Sequence, residues 1–295
     1  MSEPWFDSLR GLIEEATGVS IDSEKQYMAH ARLTPLLARF GKTSLAELVS
    51  AAIKRQTATL SEAVIEAMMT GETFFFRDAS LFEEIRKTIL PELMTRRNNT
   101  RKLRIWCAAC STGQEPYSLA MMLDEIPAAA RSWDIEILAT DISSQALSRA
   151  KSGIYNQFEV QRGLPVTHLL KYFERYEDHW RLSASIRSRV SFATGNVLHR
   201  PSRAGTFDLV MCRYVLMYFS MENRKRAMRN VDQQLAPDGH LVLGTSESGI
   251  AQDMEYNSSP TFPSAFRKGD AGWETLPRVG TMARAANSRS RSRFD

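Results

Sequence analysis

The sequence predicts an α/β protein with an all-helical N-terminal segment followed by a doubly wound parallel sheet. Three observations predict it. Up to about residue 100 the apolar residues recur at helical spacing with no strand signal. From residue 103 short apolar runs alternate with helical stretches up to residue 244, the pattern of strand–helix–strand units. No run of about 20 apolar residues occurs, so no helix is expected to span or insert into a membrane.

The first helix is marked by Trp5, Phe6, Leu9, Leu12 and Ile13, with Gly18 as its stop. A second run covers Lys25 to Phe40, where Pro35 predicts a helix start or a kink. Three capping boxes are expected, each a hydroxyl followed three residues on by a carboxylate: Ser44 with Glu47, Thr59 with Glu62 and Ser80 with Glu83. Strands are expected at 103–108, 135–140, 190–192, 208–212 and 240–244, with helices at 115–125, 143–151 and 221–235. Pro237-Asp238-Gly239 reads as a turn before the last strand. Residues 155–190 interrupt the alternation, and Trp180-Arg181-Leu182 suggests a small β insertion there. Beyond residue 268 the chain turns to Gly, Ser, Arg and Ala, the composition of a disordered tail.

The chain has 295 residues with 38 Lys and Arg against 34 Asp and Glu, a formal net charge of +4. Residues 267–295 hold seven bases and three acids, so they carry the whole excess and residues 1–266 are neutral. That argues against a globally basic, nucleic-acid-binding body. The local charge differs: Lys25 to Arg55 holds six bases and one acid, Glu47. Acids at Glu3, Asp7, Glu14 and Glu15 exclude a secretory signal at the start. Three cysteines cannot staple a chain of this length, which points to a reducing, cytoplasmic compartment.

The candidate chemistry lies where strands end. Cys110-Ser111-Thr112-Gly113-Gln114-Glu115-Pro116 follows the first strand and opens a helix, a place where backbone approaches a ligand closely. With one glycine it is not a dinucleotide fingerprint, and an ordinary strand–helix turn is the competing reading. Asp141 closes the second strand 28 residues after Gly113, where ribose hydroxyls are bound in such sheets; it could equally cap the next helix. Cys107 and Cys110 have metal or redox spacing, but no second pair and no spaced His pair accompany them, so no metal is expected. Phe74-Phe75-Phe76 cannot share one side of a helix, so some of these rings must pack across a domain junction or line a pocket. Arg77 after them, and Arg213 with Tyr214 and Tyr218 after the 208–212 strand, suit an anionic group, or a merely structural bridge.

Together these segments resemble the chemotaxis receptor methyltransferases of the CheR family. The resemblance is carried by Thr73-x-Phe75-Phe76-Arg77, by Trp106-x-Ala108-Ala109-Cys110-Ser111-Thr112-Gly113-x-Glu115-Pro116-Tyr117-Ser118 and by Ala139-Thr140-Asp141-Ile142. It continues through Ser152-Gly153-Ile154-Tyr155, Cys212-Arg213-x-Val215-Leu216-x-Tyr218-Phe219, Leu235-x-Pro237-x-Gly239 and Ser246-Glu247-Ser248. It implies a helical receptor-docking domain over 1–95. A Rossmann-like, S-adenosylmethionine-binding catalytic domain follows over 96–268, with a small β subdomain inserted at about 155–190 and a tail over 269–295. It implies O-methylation of receptor glutamates, as a protein-glutamate O-methyltransferase, with S-adenosylhomocysteine as product. The cofactor residues it implies are Gly71, Thr73, Arg77, Glu115, Asp141, Asn196, Val197, Arg213 and Tyr214; the catalytic ones are Arg77, Arg213 and Tyr218. Gly71 and Tyr214 stand where the family commonly has Asn. Arg32 and Arg39 are the expected docking residues for the helical cytoplasmic part of a methyl-accepting receptor. Two rivals remain: a methyltransferase acting on another substrate, and a non-catalytic sensor of the cofactor or its product.

Overall fold

The computed structural model describes residues 3–126, 132–201, 205–251 and 256–268. The expected tail over 269–295 lies outside them. Helices α1 (Pro4–Thr17), α2 (Gln26–Phe40), α3 (Leu45–Ile53) and α4 (Ala58–Met68) form an N-terminal bundle. Its core gathers Phe6, Leu9, Ile13, Leu33, Leu48 and Val64, each fully buried. Gly18 closes α1 in the left-handed region, at φ 86°. Pro35 neither starts nor ends a helix, since α2 runs through it. Its missing N–H costs one bond inside a helix that packing on α3 and α4 retains.

The caps differ from the expected set. Ser44 does cap α3, accepting from the Glu47 N–H at 3.2 Å, but the Glu47 carboxylate turns to Thr43 and Lys42 instead. Thr57, not Thr59, caps α4 through the Leu60 N–H. Ser80 lies inside α5 (Ala79–Glu84), whose cap position is held by Asp78 without a capping bond. Asn156 with Glu159 forms a complete capping box, at α9 (Gln157–Gln161).

After α5 come a π-helical turn (Ile85–Ile89) and α6 (Leu90–Arg96). The sheet then begins: β1 (Lys102–Ala108), α7 (Gln114–Asp124), β2 (Asp134–Asp141) and α8 (Ser144–Ser152). The insertion contains β3 (Ile154–Tyr155), α9, α10 (Val166–Tyr172), β4 (Phe173–Tyr176), β5 (His179–Leu182) and α11 (Ala184–Arg187). Its three strands form a separate antiparallel sheet in the order β3-β5-β4. The main sheet resumes with β6 (Val190–Thr194), β7 (Phe207–Cys212), α12 (Met221–Gln234), β8 (Leu235–Leu243), β9 (Tyr256–Ser258) and β10 (Ala265–Lys268).

The main sheet has the order β6-β2-β1-β7-β8-β10-β9; β6 through β8 pair in parallel and β10 and β9 add an antiparallel edge. Pro237-Asp238-Gly239 is not a turn before the last parallel strand but an irregularity within β8, where the register jumps from Phe207–Leu235 to Leu209–His240. Alternate β1 residues bury opposite ways: Leu103, Ile105 and Cys107 join one core, Trp106 and Ala108 the other. The first core also takes Leu81, Ile85, Ile89 and Leu93, whereas the helical bundle's core ends at Met69. Packing thus divides the chain near residue 70, earlier than the expected boundary at 95/96, because α5 and α6 lie on the sheet.

Candidate functional site

The strand order reverses about β1: β2 and β6 lie on one side of it and β7 on the other. A crevice outside the carboxyl ends of the strands is expected at such a switch point. A cavity of about 270 Å³ lies there, walled by the loops after β1, β2 and β7, by residues 66–77, and by Val19 to Met28 of the helical bundle.

The β1 loop is tightly wound. Ala109 and Ser111 take positive φ (57° and 50°), as does Gly113 (91°). A Cβ on Gly113 would stand 2.9 Å from that of Ala150, so glycine allows α7 and α8 to approach. Ser111 donates its hydroxyl to the Gly71 carbonyl at 2.8 Å, joining the segment before the Phe run to this loop.

Asp141 ends β2. Its carboxylate accepts the Ser111 N–H at 2.7 Å and the Ser143 N–H at 2.9 Å, so one residue both holds the β1 loop and caps the turn into α8. Burial raises its pKa, against the pull of those backbone donors and with a further push from Glu66. Glu66, from α4, accepts at one oxygen from the Ser143 hydroxyl, the Ser144 hydroxyl and the Gln145 N–H. The bundle thus caps α8 from across the cavity.

Arg213 is 6% exposed. Nη1 donates to Glu115 at 2.7 Å, and Nη2 to Asp78 at 2.6 Å and to the Arg77 carbonyl at 2.9 Å. Its carboxylate partners keep its pKa raised despite burial, which acts to lower it. Its Nε is buried and makes no hydrogen bond among the described residues. Tyr214 takes φ 58°, donates its hydroxyl to Asp78 and its N–H to Glu247 at 2.6 Å. Glu247, fully buried, also accepts from Gly244 and Met217. Arg77 is half-buried, donates to the Glu72 carbonyl at 3.2 Å and lies 3.5 Å above the Tyr214 ring centroid. Tyr218 lines this cavity and an adjoining one of about 180 Å³.

Of the residues expected here, Gly71, Thr73, Arg77, Glu115, Asp141, Arg213, Tyr214 and Tyr218 all line the cavity. Asn196 and Val197 do not: Asn196 bonds the Ala16 carbonyl and the Leu198 N–H, and Val197 is core. Arg32 is engaged internally, donating to the Met68 and Met69 carbonyls and to Thr70, while Arg39 is exposed. The Phe run divides as expected: Phe75 packs on Tyr155 and Phe173 of the insertion, and Phe74 faces the cavity. Cys107, Cys110 and Cys212 are buried thiols whose pKa burial raises well above the usual value. Sequence reading missed Glu66 and Asp78. Asp78 directly follows Arg77, a hint that was available; Glu66 sits on a helix with no local signal.

A family model described as CheR methyltransferase, SAM binding domain, matches residues 71–261. Over 247 residues the chain is 40% identical to Chemotaxis protein methyltransferase 1 of Pseudomonas aeruginosa, covering 82% of this chain and 89% of that one. It is 38% identical over 247 residues to Chemotaxis protein methyltransferase Cher2 of Pseudomonas putida, covering 82% and 90%. It is 32% identical over 254 residues to the Chemotaxis protein methyltransferase of Escherichia coli, covering 84% and 85%.

Proposed function

The chain belongs to the CheR methyltransferase family, and from that premise we propose that it transfers the methyl group of S-adenosylmethionine to glutamate side chains of chemotaxis receptors, as a protein-glutamate O-methyltransferase. The observation that carries the reading is the convergence of Asp141, Glu115, Arg213 and Arg77 on one cavity at the switch point of the sheet.

The cavity suits that cofactor. Asp141 keeps acceptor capacity at the end of β2 for ribose hydroxyls, and the buried Arg213 Nε is a donor awaiting a polar partner. Gly71, Thr73 and Glu115 complete the binding set on this reading, and Tyr214 walls the cavity beside them. When bound, S-adenosylmethionine supplies an electrophilic methyl on a sulfonium, and the S–C bonding pair remains with sulfur. The acceptor carboxylate is ionised at neutral pH, provides the pair for the new O–C bond and needs no base. The protein's task is therefore placement and exclusion of water, which can be worth about 7–11 kcal/mol.

Of the two arginines, Arg77 is the one to orient the acceptor, because Arg213 is already committed to Asp78 and Glu115. Tyr218 borders both cavities beside it. Arg77→Ala should lower kcat/KM for receptor about 10–100-fold, the worth of a hydrogen bond to a charged group, as steady-state kinetics will show. Docking rests on exposed Lys25, Arg39, Lys54 and Arg55 rather than on Arg32. On this reading the division of labour falls near residue 70, and the reaction takes place in the cytoplasm.

The test is transfer of labelled methyl to receptor-containing membranes. Label released by mild base, as an ester is, supports the proposal. Base-stable label, or cofactor binding without label, overturns it.

A further inference from the structure

Arg77 stands at the seam of the two cavities and lines both. Among the described residues its guanidinium makes one hydrogen bond, to the Glu72 carbonyl. The Glu72 carboxylate is taken by Arg162 at 2.5 Å, which holds its pKa low. Arg77 therefore keeps its charge for something else in the smaller cavity.

What fixes Arg77 is the ring beneath it. Tyr214 is anchored at both ends, through its N–H to Glu247 and its hydroxyl to Asp78. A Cβ at position 244 would come within 2.9 Å of that ring, so Gly244 leaves the room it occupies. Asp78 is itself tied to Arg213. Both Tyr214 and Asp78 adopt left-handed backbone, at φ 58° and 63°, which a non-glycine residue adopts only where its surroundings compel it. The result is a rigid aromatic plate 3.5 Å under a guanidinium, with the more distant Phe74 ring at 5.4 Å.

We infer that Tyr214 is a positioning residue that sets the Arg77 guanidinium between the cavities, and that the smaller cavity receives the acceptor carboxylate. This rests on the methyltransferase reading above. Its chemistry has a direction. The carboxylate's negative charge disappears as the ester forms, so the Arg77 attraction is strongest before reaction and absent from the product. Loss of the plate should then appear in KM for the acceptor more than in kcat. Esterified product should leave readily.

The experiment compares Tyr214→Phe, Tyr214→Leu and Tyr214→Met in the full chain, with receptor kinetics at saturating cofactor and cofactor affinity by calorimetry. Tyr214→Phe should keep KM within about 3-fold of wild type, because the ring stays. The two aliphatic variants should raise KM about 10-fold or more, while kcat and cofactor affinity move less than about 3-fold. Aliphatic variants with wild-type KM, or a phenylalanine variant as impaired as they are, overturn the inference. A merely structural role would lower cofactor affinity together with KM. A second measurement uses the wild type alone. A short glutamate peptide should inhibit competitively against receptor, and its γ-methyl ester at least about 10-fold more weakly; equal inhibition overturns the carboxylate assignment. Failure of wild-type protein to label receptor would instead overturn the methyltransferase reading.

Discussion

Arg213 shows how a single residue joins stability to the site. A guanidinium this deeply buried persists because Asp78 and Glu115 stand 2.6 and 2.7 Å from it. Removing it leaves two carboxylates facing each other in a confined space. Arg213→Met should cost about 3–5 kcal/mol of stability, as breaking a buried pair generally does, and urea unfolding will measure it. The residue itself was legible, because an arginine directly after a strand end invites a ligand role. Its actual partners were not, since Asp78 is 135 positions away in sequence and no local pattern links the two. Asn196 and Val197 were named by the resemblance alone, and no local pattern announced that one would bond the Ala16 carbonyl and the other join a core.

Among elements, the caps separate local rules from tertiary demands. Thr57 and Thr59 both carry hydroxyls at the start of one helix, but only Thr57 has extended backbone and an N–H to accept, that of Leu60. Thr57→Ala should destabilise by about 1 kcal/mol and Thr59→Ala by less than about 0.5, a difference that thermal unfolding can resolve. The expected box at Ser80 fails for a reason tied to the site. Asp78 takes the cap position in left-handed backbone and spends its carboxylate on Arg213 and Tyr214. Local consistency gives way where the cavity needs a residue elsewhere. The strands β1, β2, β6 and β7 were legible to within two residues, the central ones because their apolar runs are continuous and largely buried, whereas β8 begins five residues before its expected start. The antiparallel β9 and β10 were not, being short and lacking alternation. Nor was the irregularity within β8, since Pro237-Asp238-Gly239 has the composition of a turn whichever way the chain continues.

For the whole molecule, charge is organised in two ways. Arg97, at the end of α6, donates to Asp208 on β7 and to both oxygens of Asp238 in β8. That pairing lowers the Asp238 pKa from 3.8 to about 2. A depressed carboxylate contributes stability that is present above its unfolded pKa and lost as pH falls through the folded one. Stability should therefore decline between about pH 4 and about pH 2, and Asp238→Asn should flatten that limb in denaturant titrations at stepped pH. The second organisation is the basic stretch from Lys25 to Arg55, hidden by a neutral total over residues 1–266. Arg39→Glu should weaken receptor association with little loss of stability, and increasingly so at low salt. Arg32→Glu should instead lower the melting temperature, because Arg32 ties α2 to the end of α4. Binding and melting measured on the same pair of variants separate the two roles.

Glu247 also bears on how the protein is made. The polypeptide leaves the ribosome N-terminus first, and domains generally fold as they emerge. The helical bundle, closed by Met69, can be complete while most of the chain is still unsynthesised. The cavity cannot, because the loop carrying Tyr214 and Met217 is held by a carboxylate some thirty residues further on. During translation the cofactor is thus unavailable as a folding aid until the last parallel strand and Glu247 have both appeared. A message broken before that codon encodes α1 to α4 with no carboxylate to hold the loop that walls the cavity.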